Sequence, residues 1–192
     1  MTVLYFVRHG QTDWNADRRI QGHVDVPINA LGRTQAARNG GVLCEILDDP
    51  ADFDFVASPL LRARQTMEII REQLRLAPLD YRTDDRLREI SFGDWAGRTM
   101  AQLEQDHPED FAIRLADTWN HVPPAGESFS QLMARVLAWL SEQESDAVVV
   151  AHGGVSRCLR GHYLGLPFDE ILHLDVPQDK VLMIDNGSLT WL

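Results

Sequence analysis

The feature that most limits what this chain can fold into is a set of three short apolar runs, each followed directly by a small or polar turn and then a helical pattern. Val3-Leu4-Tyr5-Phe6-Val7 is the first, Phe53-Asp54-Phe55-Val56-Ala57 the second, and Ala147-Val148-Val149-Val150-Ala151 the clearest. Runs without polar alternation suit strands buried on both faces, as in parallel sheets. Lys180 to Ile184 and Ser188 to Leu192 read as two later strands joined at Asn186-Gly187, a strong hairpin signal. Between them, Leu31 to Leu47 reads as a helix with Gly40-Gly41 as a weak point. Ser58-Pro59 reads as an N-cap followed by proline at the first helical position. Ala63, Met67, Ile70 and Leu74 then share one helical face. Ser128 opens a helix in which Phe129, Leu132, Met133, Val136, Leu137 and Leu140 follow a 3.6-residue period, and Gly154 to Leu164 reads as another. Strand–helix alternation of this kind predicts an α/β three-layer sandwich, with a mostly parallel central sheet and helices on both faces. The polar, Trp-bearing stretch from about 83 to 127 carries Pro108, Pro123 and Pro124. It reads as a small insertion of short helices and loops over the sheet edge, within one domain spanning 1–192.

Composition excludes several functions. With Lys+Arg 18 against Asp+Glu 29, the net charge of −11 argues against nucleic acid or an anionic membrane as partner, because both need a basic face. Lys180 is the one lysine, which removes a P-loop lysine or a Schiff base from most of the chain. Cys44 and Cys158 are too few for a disulfide framework and read as buried apolar fillers. No CxxC or HExxH occurs, so no metal site is expected. The N-terminal run reaches Arg8 too soon for a secretory signal, and no segment has the ~18 apolar residues a membrane helix needs. The expected location is the cytoplasm.

The chemistry sits just after the strands. Arg8-His9-Gly10 follow the first, Ser58 and then Arg62 the second, and His152-Gly153-Gly154 the third. Ligands of open α/β sheets bind beyond the carboxyl ends of the strands. If the three strands are parallel, two histidines and two arginines meet at one edge. The arginine fork matches phosphate oxygens, helix N-termini add N–H donors, and histidine can act as a nucleophile toward phosphorus. The glycines let the backbone approach an anion. A phosphoryl group fits this set best. With neither a metal motif nor a P-loop, the reading is phosphoryl transfer in which arginines neutralise charge.

The string Arg8-His9-Gly10-Gln11-Thr12-Asp13-Trp14-Asn15 resembles the RHG signature of the histidine phosphatase, or phosphoglycerate mutase-like, superfamily. Ser58-Pro59-Leu60-Leu61-Arg62-Ala63-Arg64-Gln65-Thr66 resembles its SxxxRAxxT segment, and Glu89-Ile90-Ser91-Phe92-Gly93-Asp94-Trp95-Ala96-Gly97 its acidic loop. Val149 to Gly154 resembles its second-histidine motif. The resemblance implies that His9 attacks phosphorus and forms a phosphohistidine, while Arg8, Arg62 and His152 clamp the equatorial oxygens. It implies a further donor from Asn15 and phosphate or substrate contacts at Gln21, Gly22 and Gly153. Glu89 would protonate the leaving oxygen and then activate water, which requires a partly dry setting. His9 must attack unprotonated, and a backbone carbonyl on its other nitrogen is the usual way to fix the tautomer.

Some positions stay open at this level. Asp84, Asp85 and Asp94 compete with Glu89 for the acid role. Trp14 and Trp95 could line a pocket or simply pack; Arg18 reads as solvent-facing, and Arg19 and His23 could serve either way. The expected activity is metal-independent phosphomonoester hydrolysis on a small phosphorylated metabolite, with no cofactor. A cofactor-dependent phosphoglycerate mutase is the alternative. It is disfavoured by the short chain and by Gly154-Val155-Ser156-Arg157, where mutases usually show an Asn soon after His-Gly. A non-catalytic phospho-ligand binding module is the third reading. Sugar phosphates, phosphoglycerates, α-ribazole phosphate and phosphoamino acids all remain open as substrates. Dimers are common among members of the family, so a homodimer is allowed.

Overall fold

The computed structural model describes residues 2–192. Its centre is a six-stranded sheet formed by β1 (Leu4–Arg8), β2 (Asp54–Ala57), β3 (Arg82–Thr83), β4 (Ala147–Ala151), β5 (Val181–Asp185) and β6 (Ser188–Trp191), in the order β3-β2-β4-β1-β5-β6. β3, β2, β4 and β1 run parallel; at one edge β5 adds antiparallel to β1 and β6 antiparallel to β5. The mixed α/β sandwich read from the sequence is therefore what the chain adopts.

β4 shows why the apolar runs are continuous. All five of its residues are buried. Ala147, Val149 and Ala151 face a cluster with Leu132, Val136, Cys158 and Leu159; Val148 and Val150 face a second cluster with Leu43, Met67 and Ile70. The first cluster is covered by α6 (Phe129–Leu140) and α7 (Gly153–Leu164), the second by α2 (Ala30–Ile46) and α3 (Leu61–Gln73). With a core on each side, neither face of the strand can carry a polar side chain, and each buried valine contributes roughly 1.5–3 kcal/mol. The hairpin forms where expected, with Asn186 at φ 49° and Gly187 at φ 82°.

Four local expectations are refined. Gly40-Gly41 does not interrupt α2, which runs unbroken; Gly40 lies where α3 crosses, and a Cβ there would come within 2.8 Å of the Gln73 Cβ. Ser58-Pro59 does not cap α3, which starts at Leu61 without a side-chain cap from its own N-cap residue. Asp25 Oδ1 accepts from the Leu61 N–H at 2.8 Å instead, while the Ser58 hydroxyl takes the Leu60 N–H at 3.4 Å and meets His152. Cys44 is exposed, on the outer side of α2, while Cys158 is buried as expected and burial pushes its thiol up to about 12. α7 opens one residue earlier than its sequence pattern, at Gly153.

The 83–127 stretch folds into two short 3₁₀ turns, α4 (Met100–Asp106), α5 (Pro108–Ala116) and loops. Trp95, Leu103 and Ile20 form a small core of their own beneath it. Two more short helices, α1 (Asp13–Ala16) and α8 (Phe168–His173), complete the fold. Among the described residues, no helix is long and apolar enough to cross a membrane.

Candidate active site

The register of the central strands builds the site. Arg8 pairs with Ala151, so the residues that follow, His9 and His152, leave adjacent parallel strands at the same level. The His9 N–H donates to the Ala151 carbonyl at 3.0 Å and the Ser58 N–H to Val150 at 2.9 Å, drawing the end of β2 to the same edge. The two imidazole centroids lie 5.2 Å apart. Arg62, on the first turn of α3, is fully buried, and its Nε lies 3.3 Å from His9 Nε2.

The atoms around His9 define its chemical state. Nδ1 is 2.8 Å from the Gly10 carbonyl, so it carries the proton and Nε2 presents the lone pair. Burial, then the positive charges of Arg62 and Arg8, hold the His9 pKa well below its ordinary value. His9 is thus a neutral imidazole at neutral pH. The Gly10 N–H donates to Thr66 Oγ1 at 3.0 Å, and Thr66 Oγ1 donates to the Arg62 carbonyl at 2.8 Å, tying the histidine loop to α3. A Cβ on Gly10 would meet the Gly32 carbonyl oxygen at 2.2 Å, so only glycine lets this loop lie against the start of α2.

His152 is buried, and burial with the charge of Arg62 also holds its pKa well below the ordinary value. Its Nε2 is 2.7 Å from Ser58 Oγ, while its Nδ1 is buried with no hydrogen-bond partner. Arg8 donates through Nη1 to the Val176 carbonyl at 2.6 Å, and its buried Nε has no partner either. Burial lowers the pKa of both arginines, that of Arg62 to about 10. Two carbonyls, Val24 at 2.9 Å and Gly22 at 2.8 Å, aim the Arg62 fork. Gly22 therefore acts through its carbonyl on Arg62. Gly153 opens α7 beside Arg8, whose Nε lies 3.7 Å from its Cβ position.

Glu89 enters from the insertion. Its Oε1 accepts from the Ile90 and Gly154 N–H groups, each at 3.0 Å, and its Oε2 lies 3.3 Å from the Gly154 nitrogen. The competing acids are occupied elsewhere: Asp84 pairs with Arg86 at 2.8 Å, Asp85 with Arg88 at 2.7 Å, and Asp94 is exposed. The His23 Nε2 lies 2.7 Å from the Glu89 carbonyl, while Arg18 and Arg19 are exposed. Trp95 is packed in the insertion's core, and Trp14 sits under Arg19. Asn15 turns its Oδ1 inward, onto the Thr12 N–H and hydroxyl at 3.1 Å each and the Gln178 Nε2 at 3.2 Å. Gln21 is buried with an unpartnered Oε1.

Two residues were not singled out from the sequence. Gln178 donates through Nε2 to the His9 carbonyl at 3.0 Å. Arg135, on α6, holds the Glu89 loop: its Nη1 donates to the Arg86 and Arg88 carbonyls at 2.6 and 2.7 Å and its Nη2 to the Glu89 carbonyl at 3.0 Å. The same guanidinium grips both oxygens of Glu127, at 2.7 and 2.8 Å. Arg135 lies eight residues beyond Glu127, a spacing that on its own carries no signal. Among the described residues, no group of three His, Cys, Asp or Glu side chains is gathered closely enough to hold a metal ion.

The Histidine phosphatase superfamily (branch 1) matches residues 4–191. The chain belongs to the histidine phosphatase superfamily. Within that superfamily it is 37% identical over 178 residues to glucosyl-3-phosphoglycerate phosphatase of Mycobacterium tuberculosis, covering 85% of this chain and 76% of that one. It is 32% identical to a probable phosphoglycerate mutase of Proteus mirabilis, covering 100% of this chain and 88% of that one. Among solved structures, a putative α-ribazole-5'-P phosphatase from Escherichia coli superposes with a TM-score of 0.83 at 26% identity, covering 100% and 94% of the two chains. The mycobacterial glucosyl-3-phosphoglycerate phosphatase complexed with VO3 superposes with a TM-score of 0.78 at 33% identity, covering 100% and 97%.

Proposed function

We propose that the protein is a phosphatase that hydrolyses small phosphomonoesters through a phosphohistidine on His9, without a metal. The observation that carries this reading is the pair of buried, unpartnered nitrogens, Arg8 Nε and His152 Nδ1, in the cluster where His9 Nε2 presents its lone pair. Buried polar atoms ordinarily have partners, and two such nitrogens around a nucleophile suit the oxygens of a tetrahedral anion.

His9 Nε2 attacks phosphorus, and the bond from phosphorus to the ester oxygen breaks. Glu89 gives its proton to that oxygen as the alcohol leaves. Glu89 then takes a proton from water, the water oxygen attacks phosphorus, and the P–N bond breaks to return neutral His9 and release phosphate. Arg8 and Arg62 offset the charge on the equatorial oxygens throughout. The Ser58 hydroxyl donates to His152 Nε2, which leaves the His152 proton on Nδ1 to donate to the phosphoryl group. Gln178 and Asn15 fix the backbone and the adjoining turn, and Asn15 Nδ2 and Gln21 add polar contacts to the substrate.

The relatives named as phosphatases support this reading, and the relative named a probable mutase, matched over the whole chain, favours phosphoglycerate mutase as a second. The test uses purified protein with EDTA and either p-nitrophenyl phosphate or 3-phosphoglycerate plus bisphosphoglycerate. Hydrolysis of the first, abolished in His9→Ala and inhibited by vanadate, is expected. Acid-labile phosphate should be trapped on His9. Phosphoryl exchange in the second mixture without hydrolysis in the first would give the mutase reading. Inactivity in both, or trapping on another residue, would overturn the assignment.

A further inference from the structure

Beside this cluster, on the side of β6, lies a cavity of about 550 Å³ whose lining includes Arg8, Arg157, Arg160, Lys180, Asp175 and Trp191. Its size falls within the roughly 300–1,000 Å³ of small-molecule sites. Four cations and one carboxylate give it a local charge opposite to that of a chain carrying −11. Among the described residues none of the four cations has a carboxylate within 4.0 Å, although Arg71, Arg82, Arg86, Arg88 and Arg135 all do.

What holds the arginines is neutral. Three successive carbonyls accept from them: Leu174 from Arg157 Nε at 3.0 Å, Asp175 from Arg160 Nη1, and Val176 from Arg8 Nη1 at 2.6 Å. Carbonyls orient a guanidinium without cancelling its charge. Arg160 is also stacked over the Trp191 ring, its Cζ 5.2 Å from the centroid. The three guanidiniums thus stand side by side in fixed positions, and each keeps N–H groups outside these bonds. Burial lowers the Arg160 pKa and the charge of Arg157 lowers it further, against the opposing pull of Asp175; Arg157 acts in the same direction on Arg8, against Glu89. Lys180 adds an exposed ammonium with no hydrogen bond among the described residues. A fixed row of cations, none in a salt bridge, facing one carboxylate in a concave site matches an anion that supplies several acceptor oxygens.

We propose that this cavity is a second anion site, contiguous with the catalytic cluster through Arg8, that binds a phosphate or carboxylate group. That group is either inorganic phosphate or the second acidic group of a phosphorylated substrate. The substrate version rests on the phosphatase reading; the binding of phosphate itself does not.

Equilibrium dialysis with radiolabelled inorganic phosphate tests it on wild-type protein and on Lys180→Gln and Arg160→Gln. Two phosphates per chain are expected in the wild type. Removing the Lys180 charge should weaken one of them about fivefold, the worth of one unit charge at about 4 Å in water, and removing Arg160 should weaken it more. The exposed Lys180 makes the first variant safe for folding, whatever Arg160→Gln does to the strap of carbonyls. A single phosphate per chain, unaffected by Lys180→Gln, overturns the proposal; if p-nitrophenyl phosphate is still hydrolysed and phosphate competes with it, the phosphatase reading survives that result. A lysine-sensitive phosphate in a protein with no hydrolytic activity would do the opposite. The source is read from KM: in Lys180→Gln the KM for 3-phosphoglycerate should rise about fivefold relative to that for p-nitrophenyl phosphate if the substrate's own carboxylate occupies the cavity. An unchanged ratio with weakened phosphate binding identifies the free anion.

Discussion

Gly154→Ala is the most informative single change, because it displaces the proposed acid while leaving the proposed nucleophile alone. A Cβ at this position would lie 2.4 Å from Glu89 Oε1 and 2.8 Å from the Leu132 Cδ2. Ordinary contact begins near 3.4 Å, so the carboxylate must retreat by about 1 Å. Glu89 is the end of a flexible side chain and yields more readily than the packed Leu132. Alanine gains about 1 kcal/mol of helix propensity over glycine, against about 1–3 kcal/mol for overpacking, so the fold should lose no more than about 2 kcal/mol. The chemistry should lose far more. A misplacement of about 1 Å costs on the order of 10²-fold, within the roughly 10²–10⁴-fold span of acid–base assistance. Stopped-flow release of p-nitrophenolate separates the two steps. That leaving group departs without help, so the first-turnover burst should stay within about threefold of wild type while the steady-state rate falls about 100-fold. With an alkyl phosphate, the single-turnover rate itself should fall about 100-fold. An equal loss in the p-nitrophenolate burst would show that Glu89 is not the acid. Unchanged alkyl phosphate turnover in the folded variant would show that the carboxylate has no role at this position.

Three further outcomes are expected. Both histidines have folded-state pKa values depressed below 6.5, so below that pH the unfolded chain binds protons that the folded one does not; stability is fully present above about pH 6.5 and should fall by up to about 1.4 kcal/mol per pH unit for each histidine as the solution is acidified, as urea unfolding at pH 7.5 and 5.5 would show. A flat profile would mean the rings are not held neutral. Ser58→Ala leaves the buried His152 Nε2 without its hydroxyl, costing about 1–3 kcal/mol by denaturant unfolding and weakening vanadate inhibition; unchanged values on both measurements would remove Ser58 from the site. Arg135→Gln strands Glu127 and releases the Glu89 loop, costing about 2–4 kcal/mol, and kcat should fall with the alkyl phosphate in excess of any change in KM. Arg135→Lys should recover only part of this, because an ammonium cannot reproduce the fork.

What the sequence disclosed follows from what its residues do locally. β4 was readable to the residue because burial on both faces forbids polar side chains along its whole length. The α6 start was readable because Ser128 and Gln131 form a capping box within four residues. Ser58 misled for the opposite reason: its hydroxyl is used across 94 residues, by His152, and no local pattern reveals such a partner. Cys44 was misread because α2 packs along Ala36, Gly40 and Leu43, and a small side chain one position further on turns outward. The short α1 and α8 lie below the length at which periodicity carries a signal. His9, Arg62 and His152 stood out because each directly follows, or lies one turn beyond, a recognisable strand. Gln178 and Arg135 did not, since what ties them to the site is chiefly backbone carbonyls supplied by distant segments.

The in-register pairing of Arg8 with Ala151 has a wider implication. The separation between the two imidazoles is inherited from the hydrogen-bond ladder between β1 and β4 at the middle of the sheet. Nothing in that spacing depends on the 83–127 stretch, which brings Glu89 and overlies the site. On the proposed mechanism, substitutions or length changes there that spare Glu89 would alter which ester is admitted while leaving the two histidines where the sheet holds them.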